Sequence, residues 1–570
     1  MRKNDRAMHG RVLVAAIAAI TLCVPAYARH ASHTALAQKD VSATGPGAAE
    51  THQDPVLEAM LAELHRSQQQ LQLQNFQRPF FLQYRLDDVD NYEASANYGA
   101  VTGERRDHRR LVRVTVRVGD YQMDSSQPHG DGSLQVAAIE DDPVALRIAL
   151  WSATDIAYKA ALRDYTRKQV ALKAYQTQPS AQDFSREKPL VSMGSVVRLD
   201  LATADWQKTI ADASGVYRSR PSFEKVTEYS ASTIHARAVN RYLVNTEGTV
   251  VRHGSAVYQA RISVGTQAPD GMRMDRSYET TGTSAAQLDS AAQFHSHVEQ
   301  LLASLEELRK APVVDEVEYH GPVLFTGNSG GDIFSNLFAP GVVAIRPDLG
   351  TEARTKGPYA ASYRARVLPE GTTVVDDPRM DSFAGEGLIG AYDVDDEGVP
   401  AQPVDVVENG KLTSYLLGRA PVRDFAVSNG HGRAGLAEPP RPEIGVLRVE
   451  STKAVSPEEL NAKLLAMARE RGLDSVYVAE ALGPELSPRM LYRIHVADGT
   501  RQLVRGAAFD DLDQRSLRSN ISAVGSDTQV SNFLGETPTT VLAPSLLFDD
   551  ITVKRANDRN DKLPYYPPPE

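Results

Sequence analysis

The texture of this chain changes after Pro312, and no other feature constrains its fold as much. Before that point polar and apolar residues trade places in long runs, as in Leu111–Val118 ("LVRVTVRV"), and these runs are interleaved with long helical periodicities. Beyond it come short apolar stretches separated by Gly, Pro and Asp. Strict alternation puts one face of a strand in a core and the other in water, so the first half predicts an antiparallel sheet carrying packed helices. Short strands punctuated by turn residues predict a β-rich second half. The expected fold class is therefore α+β. An N-terminal α/β-type domain with antiparallel sheet and packed helices spans 55–311, and a β-rich C-terminal domain spans 312–556. A chain of 570 residues is also too long for one ordinary core.

Individual elements follow from spacing. Val56, Met60, Leu64 and Leu71 predict an amphipathic helix that ends before Arg78-Pro79. Phe80–Leu86, Ser95–Thr102 and Leu111–Val118 read as strands, and Pro143–Val170 reads as a long helix. Ser232–Ala238, Arg241–Asn245 and Val257–Val264 form a second sheet-like stretch with a turn at Glu247-Gly248. Ala285–Lys310 then predicts one helix buried along Leu288, Ala291, Val298, Leu301, Leu302, Leu305 and Leu308. In the second half, Asn409-Gly410 and Asp498-Gly499 are hairpin signals, and Pro457–Arg471 is a helix with Ser456 as N-cap.

The termini carry addresses rather than fold. Arg2, Lys3, Arg6 and Arg11 precede an uncharged run, Val12–Ala26, and Ala26-Tyr27-Ala28 fits a signal-cleavage site. The run is short for a bilayer span, so residues 1–28 read as a cleaved signal peptide and the protein as exported, periplasmic or extracellular, with no retained transmembrane helix. Residues 29–54 read as a flexible leader and 557–570 as a disordered, proline-rich tail. Cys23 is the only cysteine and lies in the signal, so the mature chain has no disulfide, thiolate ligand or cysteine nucleophile. A net charge of -11 gives no reason to expect nucleic acid. The basic run Arg105–Arg110 reads as a solvated turn between strands.

Several chemical signals compete. Gly327-Asn328-Ser329-Gly330-Gly331 fits G-x-S-x-G after an apolar strand, the context of a nucleophile elbow, with His431 and His495 downstream. The plainer reading is a glycine turn with Ser329 or Asp332 capping the following helix. There is no H-E-x-x-H, and His295 and His297 point to different faces of their helix and read as surface residues. Asp393–Gly398 resembles the opening of a calcium loop, but Val404 stands where the closing Glu belongs and Pro400 intervenes, which leaves an acidic β-turn. The phosphate-binding G-x-x-x-x-G-K-[ST] is absent.

Collinear phrases add a resemblance. "GPVLFTG" from Gly321, "DSFAGEGLIGAYDVDDEGVPAQPVDVVENGKLTSYLLGR" from Asp381, "SNGHGRAG" from Ser428, "LYRIHVADGTRQLVRGA" from Leu491, "SNISAVGSD" from Ser519 and "VLAPSLLFDDITV" from Val541 resemble the carboxy-terminal domain of the TldD/PmbA family of metallopeptidases. In the first half only "RYLVNTEGTVVRHG" from Arg241 is similar. The resemblance implies a helix after the first phrase that bears H-E-x-x-x-H, two zinc-binding histidines and a general base, with a cysteine completing the site. Here those positions hold Phe334, Ser335 and Ala339, and the mature chain has no cysteine. The chain thus resembles the family's non-catalytic, PmbA-like type. That implies no cofactor of its own where the family uses zinc, a partner that is itself or a metal-bearing TldD-like relative, and peptides as ligands. The alternative is an active hydrolase, either a metallopeptidase built on His431 and nearby carboxylates or a serine enzyme using Ser329.

Overall fold

The computed structural model describes residues 54–556 apart from 127–131, 176–180, 225 and 315–317. The expected signal peptide, nearly all of the leader and the tail lie outside the described residues.

Asp54 starts the first helix, α1 (Pro55–Gln70), by accepting from the Val56 and Leu57 N–H groups, while Pro55 sits where no N–H is needed. The helix ends earlier than Arg78-Pro79, because Leu71 is extended and the residues after it are largely exposed. The three strands expected next are two longer ones, β1 (Phe81–Asn97) and β2 (Ala100–Arg117), joined at Tyr98-Gly99, both with positive φ. Arg105–Arg110 therefore lies within β2 and not in a turn. Cross-strand carboxylates on β1 hold it there: Asp88 Oδ1 is 2.7 Å from His108 Nε2, and Asp88 Oδ2 is 3.0 Å from Arg110 Nε.

β3 (Ser133–Ala137), β4 (Val191–Met193), β5 (Thr227–Asn245), β6 (Val250–Gln267) and β7 (Arg273–Gly282) complete a seven-stranded sheet. Its order is β3-β2-β1-β5-β6-β4, with β7 also on β6. The two runs expected within 232–245 are one strand, β5, and Gly248 makes the turn to β6 with φ of 98°. One face of the sheet carries two groups of helices. α1 and α2 (Pro143–Tyr175) cover Tyr84, Leu86, Val112 and Val114. α3 (Thr203–Gly215) and α4 (Ala291–Lys310) cover Ala94, Ile234, Ala260 and Ile262. α4 starts later than Ala285 because Ser290 and Gln293 form a capping box, leaving Ala285–Gln287 as a separate 3₁₀ turn.

The other face of the sheet meets the second half. Arg85 Nη2 donates to Glu438 O at 2.7 Å, and Arg113 Nε donates to Ala437 O at 3.0 Å. Arg241 pairs with both Asp87 and Asp396.

In the second half, β8 (Tyr319–Phe325) runs parallel to Ser475–Leu482 and antiparallel to Leu546–Arg555 in a mixed sheet. Its apolar run Pro322-Val323-Leu324-Phe325 follows from burial on both faces. Val323 and Phe325 enter the main core, and Leu324 packs on Leu460 and Leu464 of α5 (Pro457–Glu470), which Ser456 caps. A six-stranded sheet, in which Val446–Ser451 joins Thr372–Asp376 to Thr539–Ala543, closes the core. The hairpins expected at Asn409-Gly410 and Asp498-Gly499 are present. The fold is α+β with a β-rich C-terminal region. No helix among the described residues is long and apolar enough to cross a membrane.

Candidate functional site

Gly327, with φ of 60°, turns the chain at the end of β8 and delivers it into a helix. Its first hydrogen bond runs from Asp332 N–H to Asn328 O at 3.0 Å, and Asn328 holds the N-cap position. Neither Ser329 nor Asp332 is the cap. The glycines after Ser329 serve close packing: a Cβ on Gly330 would lie 2.3 Å from the Pro544 carbonyl oxygen, and one on Gly331 would lie 2.2 Å from Ser531 Oγ.

The helix runs Ser329–Ile333, widens into a π turn over Phe334–Phe338, and resumes over Ala339–Val342. Ala339 N–H reaches back to Phe334 O, and Pro340 has no N–H with which to restore the α pattern. Phe334 and Phe338 are buried, with ring centroids 5.5 Å apart, and Phe338 also meets Tyr359 at 5.8 Å. Ala339 is buried beside them, and Ser335 is partly buried.

Zinc requires about four nitrogen, oxygen or sulfur donors in a tetrahedral set. Phe334, Ser335 and Ala339 supply one hydroxyl between them, so these positions do not fit the metal. Among the described residues no group of three or more His, Cys, Asp or Glu is placed to hold one.

The titrating group of this helix is Asp332. Burial pushes its carboxyl up to about 7, only partly opposed by the Leu482 backbone N–H, and the charge of Glu279 on β7 adds to the effect. Glu279 is itself raised by burial, although Arg261 Nη1 lies 3.1 Å from its Oε2. An acid that gives and takes a proton near neutrality therefore stands between the two halves, on the helix where metal chemistry was expected. The sequence offered one signal for it, a lone carboxylate in an otherwise apolar and small-residue helix.

Ser329 and His431 belong to separate hydrogen-bond groups. Ser329 Oγ donates to Ala479 O at 3.3 Å. His431 is fully buried, with Nε2 3.2 Å from Asp376 Oδ1 and Nδ1 3.0 Å from Asn429 O. Asp376 also accepts the Gly445 and Val446 N–H groups, which makes it a brace for the loop that enters Val446–Ser451. His495 ends the strand Pro488–His495. His295 is exposed, whereas His297 is partly buried and its Nδ1 lies 2.7 Å from Asp289.

The acidic stretch at Asp393–Gly398 is a turn, but a buried one. Asp395 accepts from the N–H groups of Glu397, Val399 and Gly432, and Glu397 accepts from Arg419 N–H at 2.5 Å. Burial pushes the carboxyls of Asp395 and Glu397 upward. For Asp396 the same burial is outweighed by Arg241 and Arg433, which hold it below the usual carboxylate range. Asp396 thus joins the two halves through Arg241, while Asp395 and Glu397 brace the second half internally.

Comparison with known proteins agrees with this architecture. Residues 318–555 match the PmbA/TldA metallopeptidase C-terminal domain. A metalloprotease of Methanothermobacter thermautotrophicus is 27% identical over 171 residues, which is 28% of this chain and 34% of the relative. One from Archaeoglobus fulgidus is 29% identical over 127 residues, which is 22% of this chain and 26% of the relative. These matches span about a third or less of the relatives they align with. Among solved structures, a candidate modulator of a DNA gyrase from Thermotoga maritima superposes with a TM-score of 0.58 at 15% identity, covering 87% of this chain and 99% of its own. TldE from Thermococcus kodakarensis does so with a TM-score of 0.56 at 16% identity, covering 87% and 99%. At such identities the likeness is one of fold, and it extends over both halves.

Proposed function

The chain belongs to the TldD/PmbA family, and from that premise we propose that it is an exported, non-catalytic subunit that binds peptides within an oligomer. Its companion is a second copy of itself or a metal-bearing TldD-like relative. The observation that carries this reading is the helix after β8. At the positions where the family resemblance calls for two imidazoles and a carboxylate, Phe334 and Ala339 are packing residues and Ser335 is a single hydroxyl. Metal-assisted hydrolysis needs a bound, acidified water, and these side chains cannot hold the ion that supplies it. Export rests on the basic amino terminus, the uncharged run after it and Ala26-Tyr27-Ala28. The fold shared with TldE supports a paired assembly.

Metal analysis of the dialysed mature protein tests the proposal. The expected result is zinc far below one equivalent. A full equivalent of zinc that resists dialysis would overturn it and reopen the hydrolase alternative built on His431 and its neighbouring carboxylates.

A further inference from the structure

Between the two groups of helices that cover the first sheet, the sheet face is left open. The gap is a cavity of 520 Å³, within the range of small-molecule sites, roughly 300–1,000 Å³. Its floor is β1, β2 and β5; the start of α1 forms one wall and residues 196–199 the other. This is where the basic run of β2 ends up.

The lining carries both signs. Asp54, Asp88, Asp90 and Asp141 face the guanidiniums of Arg106, Arg110 and Arg198. Neither a lone anion nor a lone cation matches such a lining; a ligand bearing both charges does. Two atoms say where those charges belong. The Arg110 side chain is only 7% exposed; its Nε and Nη2 are engaged by Asp88 and Asp141, and its Nη1 has no hydrogen-bond partner. On Asp90, Oδ2 meets Arg106 Nη2 at 3.2 Å, and Oδ1 is buried without a partner. Arg110 is buried and the Asp90 side chain is 28% exposed; unpaired buried atoms on charged groups are costly, and both residues line this cavity, which points to a partner that arrives from outside.

Spacing sets the ligand's size. Arg110 is opposite Asp88 in register, and Asp90 lies two residues further along β1, about 7 Å away at the rise of a strand. That is a backbone separation, and an ammonium and a carboxylate a few bonds apart, each with one hydrogen bond of about 2.8 Å to the protein, are on the same scale. Both atoms lie below the surface, so entry moves the flanking side chains of Arg106 and His108, which are 65% and 45% exposed.

We propose that this cleft binds a small zwitterion, an α-amino acid or a short peptide with both ends free, whose carboxylate is taken by Arg110 and whose ammonium is taken by Asp90. The site stands on its own residues and does not depend on the fate of the metal helix.

Calorimetric titration of the full chain tests it, with dialanine, N-acetyl-dialanine, dialanine amide and free alanine as probes. Dialanine is expected to bind saturably at one site, and blocking either end is expected to weaken binding about tenfold or more. Alanine binding as tightly as dialanine assigns the site to a free amino acid, and a preference for dialanine assigns it to a peptide; both support a zwitterion site. Arg110→Met removes the carboxylate contact but also frees Asp88 and Asp141, so Asp90→Asn is the second variant. It keeps the shape and a contact to Arg106, and is expected to lose about tenfold for dialanine while leaving N-acetyl-dialanine unaffected. The proposal is overturned if dialanine gives no saturable heat up to about 10 mM, if the blocked probes bind equally well, or if Asp90→Asn leaves dialanine affinity unchanged.

Discussion

On the helix after β8, where the family resemblance calls for metal chemistry, Phe334 and Phe338 fill the core. On the face of the first sheet, where the sequence suggested only a solvated turn, carboxylates and guanidiniums surround an open cavity. Imidazole or carboxylate with no partner in that core would be destabilising, and the helix carries apolar side chains there instead. Charges held half-buried on a sheet, with some atoms left unpaired, are the observation on which the proposed zwitterion site rests. The contrast teaches that the buried polarity of this molecule lies on the first sheet and not at the positions that the family resemblance singles out.

The largest expected effect comes from treating the helix as packing. Phe338→Ala removes a fully buried ring between Phe334 and Tyr359 and should cost about 3–5 kcal/mol, read from urea unfolding. A loss below about 1 kcal/mol would mean that the helix is not a core element and would break the contrast.

A smaller effect, with a sign, belongs to Asp332. Its folded pKa is raised to about 7, so between about pH 4 and 7 the folded state keeps a proton that the unfolded chain has released. The stability associated with this group is greatest below pH 4, falls as the pH rises and levels off above 7. Asp332→Asn should remove that decline. At pH 8 the variant should be more stable than the parent by up to about 4 kcal/mol, and at pH 4 the two should coincide. Equal stabilities across the range would show that the carboxyl is not raised.

The smallest effect is expected at Ser329. Replacement by Ala loses one hydrogen bond to Ala479 O, about 1 kcal/mol. A fluorophosphonate probe should label neither protein. Labelling of the parent that vanishes in Ser329→Ala would restore the serine-hydrolase alternative and place chemistry back on this helix.

Much of the fold was legible residue by residue. Alternation in Leu111–Val118, the stripe from Val298 to Leu308 and the Asn409-Gly410 turn each report a local period or a local backbone requirement, and each is found in place. What failed did so where a partner distant in sequence decides. Arg105–Arg110 looks like a turn until Asp88 and Asp90 lie beside it, because cross-strand charge pairs let a basic run stay extended. The acidic stretch from Asp393 was legible as a turn, but not as buried, because Arg241 comes from the other half of the chain. Asp332 looked like a cap because the helix start gives caps a high prior, whereas its raised pKa depends on Leu482 and Glu279.

The sequence by itself determined the fold class, the resemblance of the second half to a metallopeptidase domain, and the absence of imidazoles from the helix after β8, since residue type and local period are properties of the chain alone. Only the tertiary structure decided that Asp332 titrates near neutrality and that Asp90, Arg110 and Asp54 line one cavity. Desolvation and the approach of charges are set by segments far apart in sequence, and they come into being only when the sheet and its two groups of helices are assembled.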